Sequence, residues 1–283
     1  MKIEYIANKE CILKEYLVEL GLSRNFMKKV KLYGKMYIND VEVKNYFPIK
    51  IGDKIVLEYN EEENDNIITK TNPLDICYED EHILIINKPE SLAVQPSRKH
   101  YEENVVSYVK GYFKNNNIVS NVHIVNRLDF ATSGLMIVAK DGFTHHQLTK
   151  EKIITRKYNA VICGIIDKKE GIINLPIKRE SDEKDGNIKR IVAPDGKEAI
   201  THYKVISESL VNNLSLIDVK LDTGRTHQIR VHFKTIGYPL LGDKIYGKES
   251  DRLYLHCYHL SFINPYNNKE IVIEKFPTFK NIF

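Results

Sequence analysis

At 283 residues the chain is longer than most single domains, so two units are expected, one of them small. Its composition, 42% hydrophobic and 28% charged, is ordinary for a globular protein with a proper core, and its net charge of +4 permits a polyanionic partner without requiring one. Cys11, Cys77, Cys163 and Cys257 are far apart with no C-x-x-C, which argues against a disulfide frame or a cysteine zinc site. The N-terminus has no apolar signal-peptide core, and no apolar run approaches the roughly 20 residues that span a bilayer. A cytoplasmic protein without a membrane partner is expected.

In chain order, "LKEYLVELG" puts Leu13, Leu17 and Leu20 at helical spacing, with Gly21 as the stop. In "LSRNFMKKVKLYGK" Ser23 is the expected N-cap of a second helix, whose apolar face is Phe26, Val30 and Tyr33. Its other face carries Arg24, Lys28, Lys29, Lys31 and Lys35 with no acid among them. Such a stripe is either a solvated face or a set of phosphate contacts. "MYIND" and "VEV" read as a hairpin across Asn39-Asp40, and "IGDKIVLEY" as a turn and a strand. Taken whole, "LSRNFMKKVKLYGKMYINDVEVKNYFPIKIGDKIVL" resembles the S-four RNA-binding domain. The resemblance implies binding to structured RNA through backbone and shape, with Arg24, Lys28, Lys29 and Lys31 as RNA contacts.

The polar stretch "EYNEEENDNIITKTNP" (58–73) is the expected linker, which divides the chain into units 1–60 and 73–283 with 61–72 between them. Beyond it come β-like runs: "ILIIN", "LMIVAK", "KYNAVICG", "HYKVI" and "LSLIDVKLD". "GYPLLGDK" has phosphate-loop spacing, but Asp243 stands where the lysine belongs, so no nucleotide site is expected. In "HCYH" His256 and His259 fall on opposite faces of a strand, and no metal site is expected either.

Three segments carry chemistry. In "VNRLDFATSGLMIVAK" Asp129 precedes a Thr-Ser-Gly turn, where it serves either to cap the turn's backbone or to supply a charge. In "TRKYNAVICG" Tyr158 heads an apolar strand beside Arg156 and Lys157, as a core residue or as a platform on which a base stacks. "LDTGRTHQIRVHFKTIG" reads as a strand end, a turn at Thr223-Gly224, and a helix N-capped by Thr226 and closed by Gly237. Ile229, Phe233 and Ile236 are its buried face. Arg225 and Arg230 stand at that junction, in structural salt bridges or facing a carboxylate or phosphate.

In this order the three blocks resemble the RluA-type pseudouridine synthases, over about residues 73 to 283. "RLDFATSGL" matches the family's R-L-D-x-x-T-S-G-L, "RKYNAVICG" its tyrosine block, and "TGRTHQIRVH" with "GYPLLGDKIYG" its third block. The resemblance implies roles: Asp129 as catalytic carboxylate, Arg230 paired with it, Tyr158 stacked on the target base, and Arg127 entering the RNA stack where the uridine leaves. Isomerising uridine consumes nothing, so no cofactor is implied. Flipping the base out costs a few kcal/mol, which an aromatic platform and an intruding guanidinium offset. Departures from the family are Asn126 and Gln95, where it usually has His, and Phe130, where a charge is common.

The expectation is thus an α+β protein: an S-four-like domain, then a synthase domain on a mixed, mainly antiparallel sheet. It would act as a monomer on RNA, with large-subunit ribosomal RNA as the expected substrate and transfer RNA as the alternative. The rival from another class is a non-catalytic RNA-binding or ribosome-assembly factor. A hydrolytic glycosidase is weaker, because such enzymes use two carboxylates and no second acid here has a clear claim.

Overall fold

Local chemistry explains the first unit. A computed structural model of the chain describes residues 2–22, 24–59, 67–150, 154–180 and 189–279. β1 (Lys2–Ile6) and β2 (Cys11–Ile12) lead into α1 (Leu13–Glu19), which buries Leu13, Tyr16 and Leu17. α2 (Arg24–Tyr33) follows; Ser23, its expected cap, lies outside the described residues. Phe26 and Val30 are buried as expected, but Tyr33 is 59% exposed because the helix ends there and the chain turns into β3 (Gly34–Ile38). Asn39 and Asp40 both take positive φ, 47° and 67°, as a two-residue hairpin turn requires. β4 (Val41–Val43) and β6 (Lys54–Tyr59) complete an antiparallel sheet of order β1-β6-β3-β4, while β5 (Pro48–Ile49), between them in the chain, pairs β2 apart from it.

β6 carries Glu58 and Tyr59 into the sheet, so those two residues of the expected linker are strand. Residues 60–66 lie outside the described part. Lys70, further along, is tied to the body of the protein: its N–H donates to the Ser107 carbonyl and its ammonium meets Glu102 at 2.6 Å.

The second part runs β7 (Ile76–Glu79), β8 (Ile83–Lys88), α3 (Val105–Asn115), β9 (His123–Ile124), β10 (Ser133–Ala139) and α4 (Gly142–Lys150). Then come β11 (Thr155–Cys163), β12 (Glu170–Asn174), β13 (Ile177–Arg179), β14 (Arg190–Val192), β15 (Ile200–Ser209) and β16 (Leu214–Leu221). α5 (Gln228–Thr235), β17 (Leu255–Ile263) and β18 (Glu270–Glu274) follow. The main path of the large sheet is β12-β15-β16-β11-β17-β10-β8-β7, with β18 on β17 and β9 on β10. All its pairings are antiparallel except β10–β17, which makes the fold α+β with a mixed, mainly antiparallel sheet.

The central strands are apolar on both faces, which is why "SGLMIVA" reads as a continuous run and why all seven residues of β10 are buried. Val109 and Phe113 of α3 and Ile229 and Phe233 of α5 join the same core. Gly134 explains the small residue in the turn signature: at φ 119° it lies so close to β17 that a Cβ would sit 2.3 Å from the Cys257 carbonyl oxygen. Two contacts join the two parts. Phe143 of α4 enters the N-terminal core, its ring 5.6 Å from Phe26, and the His146 ring donates to the Gly21 carbonyl at 3.1 Å.

Candidate active site

Asp129 lies between β9 and β10, in a turn closed by backbone alone: Thr132 N–H donates to the Asp129 carbonyl at 3.1 Å. The carboxylate is therefore not needed to shape the turn. Its Oδ2 instead accepts from Arg230 Nη1 at 3.3 Å and faces His227 Nε2 at 3.8 Å. Among the described residues Oδ1 has no hydrogen-bond partner. Lys88 fastens this turn from behind. Fully buried, it donates to the carbonyls of Pro89 (2.8 Å), Leu92 (3.0 Å) and Phe130 (3.2 Å). Burial pushes Lys88 down to about 7, while the charge of Asp129 pulls the other way.

Arg230 is buried in α5 and shared between two acids. Its Nε and Nη2 clamp Asp243 at 2.8 and 2.7 Å, and the Asp243 carboxylate also accepts the N–H groups of Ile245 (3.0 Å) and Tyr246 (3.1 Å). Burial opposes ionisation of both, but the hydrogen bonds outweigh it, holding Asp243 below and Arg230 above their ordinary values. Sequence inspection met Asp243 only as a missing phosphate-loop lysine and assigned no second acid. Asp243 is that acid, but it is saturated with donors and belongs to Arg230 rather than to a substrate.

These groups open into a cleft of about 780 Å³, within the size range of ligand sites. Asp129, Tyr158, Arg230, Arg127 and Arg225 all line it, so five of the expected residues meet in one place. Arg24, Lys28, Lys29 and Lys31 do not line it; they lie exposed on α2. Tyr158 is buried in the wall, and burial holds its hydroxyl far above the ordinary phenol value. Arg127 is exposed at the opening; Arg225 is also exposed and donates through Nε to the Glu198 carbonyl.

The expected Thr226 cap is absent. α5 begins at Gln228 after His227, which has φ 57° and gives no side-chain cap. Gln228 organises the junction instead, its Oε1 accepting from Thr223 Oγ1 and Arg225 N–H, both at 2.9 Å. Gly237 closes the helix with φ 91°, as expected.

Arg156, which the sequence shows only as half of a basic pair, belongs to the site. It shares the cleft face of β11 with Tyr158, two residues on. Its Nε is buried with no hydrogen-bond partner among the described residues, as is Thr132 Oγ1 on the cleft wall. Both departures nearest Asp129 have separate explanations. Asn126 is buried and accepts the Ile137 N–H at 2.7 Å, pinning its segment to β10. Phe130 is 43% exposed and stacks on His100 with centroids 4.7 Å apart. Gln95 is exposed and borders both the cleft and a neighbouring hollow of about 470 Å³.

"HCYH" lies in β17, where His256 bonds Ser133 Oγ and the Lys275 carbonyl, and His259 bonds Glu274. No helix among the described residues is long and apolar enough to cross a membrane.

Residues 82–235 match the RNA pseudouridylate synthase family profile. An uncharacterized RNA pseudouridine synthase of Bacillus subtilis, YjbO, is 38% identical over 261 residues, covering 89% of this chain and 90% of that one. Ribosomal large subunit pseudouridine synthase D of Buchnera aphidicola is 35% identical, covering 87% and 84% respectively. In fold, the chain is similar to human RNA pseudouridylate synthase domain containing 1, with a TM-score of 0.61 at 24% identity over 74% of this chain and 86% of that one. A profile match of this extent, together with full-length relatives above a third identical, makes the chain a member of the RNA pseudouridine synthase family.

Proposed function

We propose that the cleft around Asp129 is where uridine is isomerised, with Asp129 as the catalytic carboxylate. One observation carries this reading: Arg230 holds Oδ2, while Oδ1 has no hydrogen-bond partner among the described residues, and Asp129 and Tyr158 line one cleft able to take a nucleotide. The reaction breaks N1–C1′, turns the base and joins C5 to C1′; C5 loses its hydrogen and N1 gains one. Oδ1 begins it, by attack at C1′ or by removing the 2′ proton. Arg230 supplies the positive charge that keeps the carboxylate oriented and ionic.

Tyr158 offers its ring to the extruded base, and Arg127 at the opening fills the gap left in the RNA stack. The substrate proposed is large-subunit ribosomal RNA, which the printed name of the Buchnera relative supports. Residues 1–60 are proposed as an S-four-like RNA-binding domain, supported by the exposed Arg24, Lys28 and Lys31 on α2. The enzyme is proposed to work in the cytoplasm as a monomer.

The test is to map pseudouridine across total RNA from cells holding the wild-type protein, Asp129→Ala, or none. A site present only with the wild type, in large-subunit ribosomal RNA, supports the reading. A site retained with Asp129→Ala refutes the catalytic assignment.

A further inference from the structure

His227 occupies the left-handed region, φ 57° and ψ 19°, at the start of α5. Non-glycine residues seldom take that conformation, although His, like Asn and Asp, does so more readily than most, and a residue held there often serves a site. It also makes no capping bond that would account for the strain. The ring's surroundings are more informative. Nδ1 lies 2.8 Å from the Tyr246 hydroxyl, and that hydroxyl accepts the Arg190 N–H at 2.7 Å. A phenol oxygen already accepting one bond has its own proton to give, and His227 Nδ1 is there to accept it. The imidazole proton then belongs on Nε2, which faces Asp129 Oδ2 at 3.8 Å.

This arrangement complements Arg230. Both Nε2–H and Arg230 Nη1–H converge on the same carboxylate oxygen, and neither touches Oδ1. At 3.8 Å the His227 contact is open, as catalytic hydrogen bonds often are before substrate binds. A shift of about 0.8 Å would bring it to bonding distance.

We propose that His227 is a positioning residue: its neutral Nε2–H, directed by Tyr246, joins Arg230 in holding Asp129 Oδ2 so that Oδ1 is turned toward the RNA ribose. This rests on Asp129 being the catalytic carboxylate. It gives the strained backbone a purpose and links the cleft-lining Arg190 of β14 to the reacting group through Tyr246 and His227.

The test is single-turnover conversion of a transcript carrying the uridine identified by the mapping, with wild type, His227→Gln, His227→Asn, His227→Gly and Asp129→Asn. Gln carries its amide N–H where Nε2 stood, whereas Asn carries it nearer the Nδ1 position. Asn and Gly suit the left-handed backbone better than Gln does. If the donor matters, Gln stays within about fivefold of wild type while Asn and Gly lose about 100-fold in rate with RNA affinity unchanged. If only the backbone matters, the order reverses, and that order, or no loss in any variant, overturns the proposal. Should His227→Gln fail to fold, Tyr246→Phe replaces it: a loss of about tenfold supports the proposal and an unchanged rate overturns it. Asp129→Asn reports separately, since activity there refutes the catalytic assignment itself.

Discussion

Arg230 spends one whole edge of its guanidinium, Nε and Nη2, on Asp243 and only one N–H on Asp129: 2.8 and 2.7 Å to the first, 3.3 Å to the second. The tighter, fully buried pair supports the arginine, and the looser, half-open one is the contact that the proposed reaction uses. An arginine fixed in this way presents a charge to Asp129 without having to reorganise when the reaction begins.

Arg230→Lys is therefore expected to fail although the charge survives, because one ammonium cannot bridge both carboxylates. We expect about 100-fold loss of single-turnover rate, from displacement rather than neutralisation. Asp243→Ala leaves a buried guanidinium without its partner and is expected to lower stability by about 3–5 kcal/mol. Urea unfolding and turnover on the mapped RNA check both; an active Arg230→Lys would show that the shared geometry is dispensable.

Asn126 and Phe130 are expected to separate in their effects. Asn126→Ala strands the buried Ile137 N–H, at a cost of about 1–3 kcal/mol in unfolding free energy, with little change in rate for the folded enzyme. Phe130→Ala removes an exposed aromatic at the rim and is expected to weaken RNA binding by about 1–3 kcal/mol while stability holds. If the two effects came out exchanged, Asn126 and not Phe130 would be the residue touching RNA.

Replacing Lys28, Lys29 and Lys31 of α2 with Ala is expected to flatten the dependence of RNA affinity on salt. Each lost phosphate contact reduces the slope of log K against log salt by about 0.7–0.9. Filter binding from low to high salt measures it. An unchanged slope would remove α2 from the binding surface.

Acid sensitivity is expected from His256. Burial holds its imidazole at about 4, below the ordinary 6.5, with the Lys275 carbonyl opposing and Arg252 and Lys275 adding to the depression. The native state then binds this proton less readily than the unfolded chain, so stability falls as pH drops from about 6.5 to about 4. The full loss is on the order of 3 kcal/mol. His227 and His232 are lowered in the same direction, whereas Asp141 and Asp243 are depressed and weaken the fold only at still lower pH. His256→Gln should narrow the stability gap between pH 7 and pH 4.5 in urea unfolding; an unchanged gap would assign the loss to the other histidines.

Much is legible in the sequence itself, because it is local. The Asn39-Asp40 hairpin, the run from Ser133 to Ala139 and the Gly237 helix stop follow from turn chemistry and from the periodicity of apolar residues. The grouping of Asp129, Tyr158 and Arg230 came from three resembling blocks, and the fold brings them to one cleft. What tertiary structure alone decided is which polar groups meet. Asp129 and Arg230 are 101 residues apart, and Lys88 reaches Phe130 across 42. Neither the division of Arg230 between two acids nor the left-handed turn that brings His227 beside Asp129 leaves any period or spacing in the chain. The Thr226 cap failed for the same reason: a local preference worth about 1 kcal/mol gave way to Gln228, whose amide is held by Ile200 and Thr201 of a neighbouring strand. Local patterns determine the elements, and burial determines which charges must find one another.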